Sequence, residues 1–103
     1  MYLIQLLIPL ADNAGRRFPQ GHYTTLTEEL TERFGGLTAY SRSPAVGLWQ
    51  PDDSDYRQRD DVIAYEVLAD SLDRDWWSAY RSALQARFDQ DEIMIRAHEV
   101  HGL

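Results

Sequence analysis

Apolar residues alternate with a period of two over residues 2–8. Tyr2, Ile4, Leu6 and Ile8 form one set, and Leu3 and Leu7 share the other with Gln5. That period predicts a strand, closed by Pro9, whose even-numbered face meets the helices. The next stretch, Ala11–His22, is rich in Asn, Gly, Pro and Arg and has no period, so it reads as a loop. Leu26, Leu30 and Phe34 then recur at i, i+4 and i+8, which draws the apolar stripe of an amphipathic helix. Thr25 and Glu28 have capping-box spacing and predict its start near Thr25. Gly35 and Gly36 supply the left-handed backbone that stops it.

From Leu37 to Arg42 the period returns to two, with Leu37 and Ala39 on one side and Thr38, Tyr40 and Arg42 on the other. Ser43–Asp60 contains Pro44, Gly47 and Pro51 and reads as a long connection, with room for a short extra strand at Val46–Trp49. Val62–Ala69 predicts a third strand, setting Ile63, Tyr65 and Val67 against Ala64, Glu66 and Leu68. A second helix is expected over Leu72–Phe88, capped by Asp70, Ser71 or Asp73, with Trp77, Tyr80, Leu84 and Phe88 as its stripe. The last strand, Glu92–Val100, sets Ile93, Ile95 and Ala97 against Met94, Arg96 and His98.

The order β-α-β-β-α-β, within 103 residues, fits one α+β domain over 1–103. Two crossovers that place both helices on one face predict a ferredoxin-like arrangement: a four-stranded antiparallel sheet in the order 4-1-3-2. The uncovered face would then carry Leu3, Leu7, Leu68 and Met94 around a polar group. It is too apolar to remain a large patch in water. A second copy is the expected cover, giving a homodimer, sheet to sheet in the manner of the dimeric α/β-barrels.

Charge narrows the partners. A net charge of -7 and a pI near 4.7 disfavour nucleic acid and anionic membrane surfaces. All ten basic residues are arginine, which removes Schiff-base lysines and the P-loop lysine. Without cysteine, disulfides and thiolate chemistry are excluded. The apolar N-terminal stretch lacks a basic leader and falls short of the ~20 residues of a spanning helix. The chain is therefore expected to be cytoplasmic and to need no cofactor.

Strand alternation gathers Gln5, Tyr40, Arg42, Glu66, Arg96 and His98 on the uncovered face as the candidate ligand-binding or interface residues. Glu66 or His98 offers a proton acceptor and the arginines an anion clamp, as a small carboxylate or polar aromatic ligand would require. The plainer expectation is that Glu66 pairs with Arg42 or Arg96 across neighbouring strands at a dimer interface. His98 and His101 fall on opposite sides of a strand, and His22 sits in the first loop, so no metal site is expected. The aspartates 52, 53, 55, 60 and 61 lack the glycine and terminal glutamate of a calcium loop. Arg16 and Arg17 beside Gly15 read as exposed charge. No Gly-x-Ser-x-Gly elbow is present.

The run Arg33-Phe34-Gly35-Gly36-Leu37-Thr38, the later Gly47-Leu48-Trp49, and Arg87-Phe88 leading through Gln90 into Glu92-Ile93-Met94-Ile95 resemble landmarks of a group of small bacterial proteins. The resemblance implies a ferredoxin-like fold and brings no activity or catalytic residue with it. Asp89 stands where such sequences often have Gly. Two functions follow from these readings. One is a homo-oligomeric interaction module that associates through the open sheet face. The alternative is a small-molecule-binding protein or cofactor-free enzyme of the dimeric α/β-barrel type.

Overall fold

A computed structural model describes residues 1–42 and 62–103. Its elements are β1 (Tyr2–Pro9), α1 (Gln20–Phe34), β2 (Thr38–Arg42), β3 (Val62–Ala69), α2 (Arg74–Arg87) and β4 (Met94–Glu99). The class is α+β, as expected. The strands form one sheet in the order β2-β3-β1-β4, every neighbour antiparallel. This is the expected 4-1-3-2 read from the opposite edge. The extra strand expected at 46–49, and the aspartate-rich run beyond it, lie outside the described residues.

The even positions of β1 carry the core. Ile4, Leu6 and Ile8 are at most 1% exposed, and they pack with Tyr65 and Val67 of β3, Tyr23, Leu26 and Leu30 of α1, and Trp77, Tyr80 and Leu84 of α2. Both helices therefore share one face of the sheet. Phe88 and Ile93 close the core at the end of α2. Phe88 meets Phe18, His22 and Tyr23 with ring centroids 5.2–5.5 Å apart.

Helix α1 starts five residues earlier than the Thr25 capping box suggested. Pro19 precedes its first turn, with φ -58° suited to helix entry, and no side chain caps it. Thr25 and Glu28 lie inside the helix. His22, expected in a loop, stands on its first turn beside Tyr23, whose hydroxyl donates to the Pro9 carbonyl at 2.8 Å. The preceding loop is ordered by Asp12, whose carboxylate accepts from the Ala14 and Arg16 amides at 2.9 and 2.8 Å. The Arg16 amide, outweighing the small burial cost, holds the Asp12 carboxyl below its ordinary range.

Gly35 ends α1 at φ +80°, its amide bonded to the Thr31 carbonyl at 2.8 Å. Gly36, read as sharing that left-handed turn, does not have positive φ. Of the three caps proposed for α2, Asp73 is used: its side chain accepts from the Trp76 amide at 3.1 Å. Strand β4 begins two residues later than expected, at Met94, because Ile93 turns into the core.

Candidate functional site

The sheet face opposite the helices is built in rungs. In an antiparallel sheet, residues directly opposite one another point to the same side. Thr38, Glu66, Gln5 and Arg96 stand in one such row, one from each strand, in the order β2-β3-β1-β4. The next rung on one side carries Leu68, Leu3 and His98. The next on the other side carries Ala64, Leu7 and Met94, with Tyr40 in register opposite Ala64. Arg42 lies opposite Val62, a further rung away.

Gln5 holds the central row together. Its amide nitrogen donates to Glu66 Oε2 at 2.9 Å, and its amide oxygen accepts from Arg96 Nε at 2.9 Å. A carboxylate can only accept and a guanidinium can only donate, so the two neighbours dictate which way the amide points. Gln5 is 8% exposed, and burial of a polar side chain on a central strand is tolerated because both ends of its amide are matched. Charge therefore runs along the row from Glu66 to Arg96 through a neutral amide.

The six candidate residues thus divide. Gln5, Glu66 and Arg96 are brought together. His98 sits one rung off, exposed, beside Leu3. Tyr40 and Arg42 occupy register positions two and four residues from Thr38 along β2. The pairing expected between Glu66 and Arg96 is indirect, because β1 lies between β3 and β4 and Gln5 bridges them. The clue was Gln5 itself, the lone polar residue in an otherwise apolar first strand.

Apart from His98, the flanking rungs are largely apolar, and they are partly open to solvent. Leu68 and Met94 are each 53% exposed, and Leu3 and Leu7 are half-buried. A separate depression of about 470 Å³ lies on the helix side of the sheet, where Tyr23, Thr27, Glu28, Ile63 and Tyr65 line it. None of the six candidates borders that space. Among the described residues, no group of three or more His, Cys, Asp or Glu is placed to hold a metal ion. No described helix is long and apolar enough to cross a membrane.

A second polar cluster, missed in the sequence, joins the two helices. Arg87 donates to both carboxylate oxygens of Glu29, each at 3.0 Å, and the Tyr80 hydroxyl donates to Oε1 at 2.9 Å. Burial pushes the Glu29 carboxyl up, but the bonds from Arg87 and Tyr80 outweigh it and leave the group below its ordinary value. Burial, reinforced by the carboxylate, pushes the Tyr80 hydroxyl far up. Its partners lie 58 and 51 residues apart in the chain, so no local pattern reveals it.

No protein-family profile matches the chain, and no curated protein matches it. Its fold is similar to that of a phage SAM lyase solved in complex with S-methyl-5'-thioadenosine, with a TM-score of 0.53 over 95% of this chain and 80% of that one. The two sequences are 11% identical, so the likeness concerns the fold alone.

Proposed function

We propose that this chain is a homo-oligomeric interaction module with a ferredoxin-like fold, and that it associates through the open face of its sheet. The observation that carries this reading is the composition of that face. A polar row, internally matched through Gln5, lies between two largely apolar rungs, one of them carrying His98, whose Leu68 and Met94 side chains are half exposed. Apolar surface flanking matched polar groups is what an interface core requires, since association leaves few unpaired donors or acceptors behind. A ligand site would instead be expected to hold convergent groups in a concavity. The amide of Gln5 is already engaged at both ends.

The test is the mass of the particle in solution. Light scattering behind a sizing column is expected to give a multimer of the 11.9 kDa chain at micromolar concentration. Replacing Leu68 and Met94 together by Glu is expected to give a folded monomer, because both side chains are exposed in the single chain and their loss leaves the core intact. A wild-type chain that elutes as a monomer at that concentration overturns the reading.

A further inference from the structure

A groove between α2 and the edge strand β4 carries charge that the open sheet face does not use. Its floor is apolar, made by Ile4, Trp77 and Ile95. Arg74, Ser78 and Arg81 border it from α2, following one another at i, i+4 and i+7, which places them along one side of the helix. Arg96 borders it from β4, but its Nε is committed to Gln5 on the open sheet face. Among the described residues no carboxylate lines this space, although the chain as a whole carries a net charge of -7.

Among the described residues, the two helix arginines are not engaged elsewhere. Neither Arg74 nor Arg81 makes an ion pair or side-chain hydrogen bond with a described residue. Two acids flank Arg74 in the chain: Asp73 is occupied with the Trp76 amide and with Arg33, whose Nη2 lies 3.6 Å away, and Asp75 does not border the groove. Two cations with no ion-pair partner among the described residues, and a hydroxyl, over an apolar floor form a complement to a negatively charged group joined to an apolar body.

We propose that this groove binds a small organic anion. Its carboxylate or phosphate group sits between Arg74, Ser78 and Arg81, and its apolar ring rests against Trp77 and Ile95. The cavity measures about 230 Å³, below the ~300–1,000 Å³ of sites for drug-sized ligands, so the occupant is of the size of one ring bearing one acid group. The site shares Arg96 with the surface assigned to association, but its key arginines lie on α2.

The test is a titration of the full chain with phenyl phosphate and with benzoate, followed by heteronuclear NMR, with benzyl alcohol as the uncharged control. At least one of the two anions is expected to give saturable shifts at the Trp77 indole and the Ser78 and Ala97 amides. Arg74→Ala and Arg81→Ala are each expected to weaken that binding about tenfold, because each removes a charge-assisted hydrogen bond. Added salt is expected to weaken it as well, and Arg16→Ala to leave it unchanged. Both helix arginines are exposed, so the variants retain the fold, which their melting temperatures verify. Absence of saturable shifts up to ~10 mM of either anion, equal binding of benzyl alcohol, or indifference to both substitutions overturns the proposal.

Discussion

Asp89 holds a backbone conformation that an L side chain adopts at a cost. It lies just past α2 at φ +49°, and the helix end closes on it through two bonds, from its own amide to the Ala86 carbonyl at 3.3 Å and from the Gln90 amide to the Gln85 carbonyl at 2.9 Å. This double closure demands a left-handed residue, and glycine is its usual occupant. A side chain with Cβ costs roughly 1–2 kcal/mol there, with aspartate among the better tolerated. Asp89→Gly is therefore expected to raise stability by about 0.5–1 kcal/mol, seen as a higher urea midpoint at unchanged slope. Asp89→Ala, which keeps the Cβ and loses the carboxylate, is expected to give no such gain. Equal midpoints for the Gly variant and the wild type would show that the turn is not strained.

Between elements, the contacts that matter most join residues far apart in the chain. Glu29 of α1 and Tyr80 and Arg87 of α2 clamp the two helices together. The Glu29 side chain is 39% exposed, which screens the pair, so Glu29→Gln is expected to cost only about 1 kcal/mol at neutral pH. The carboxyl titrates lower in the folded chain than its ordinary 4.5. Its contribution is accordingly complete above 4.5 and is lost as pH falls through the lowered folded value. Urea titrations of the two proteins should thus differ by a constant amount near neutrality and converge in acid. A gap that widened on acidification would contradict the assigned role. Such clamps are hidden from the sequence, whereas local chemistry was plainer: Gly35 as a helix stop, Asp73 as one of three candidate caps, and Ile4, Leu6 and Ile8 as the buried side of β1. The Thr25–Glu28 spacing misled because the same residues also occur inside helices, and Pro19 with Tyr23 marked the true start. Strand alternation revealed the face that Gln5, Glu66 and Arg96 occupy. It could not reveal their rung, which depends on register between strands 61 and 91 residues apart.

At the scale of the molecule, the direction of charge along the central row limits how two copies can meet. The row runs Glu66, Gln5, Arg96 across three adjacent strands. For two sheets packed face to face, the two-fold axis lies in the interface plane. An axis along the strands reverses the row in the second copy, so each Glu66 faces the partner's Arg96. An axis across the strands sets like charge over like, which is unfavourable. Association through this face is therefore expected to use the first symmetry, and complementary variants can show it. Glu66→Arg makes the row positive at both ends, and Arg96→Glu makes it negative at both ends. Each alone is expected to elute as a monomer, and an equimolar mixture to form a heterodimer in light scattering. With the second symmetry, the mixture would place opposite charges together as well, but the wild type would carry the like-charge clash and associate more weakly than the mixed pair. Comparable affinity of the wild type and the mixture is the signature of an axis along the strands. A mixture that stays monomeric places the contact elsewhere on the chain.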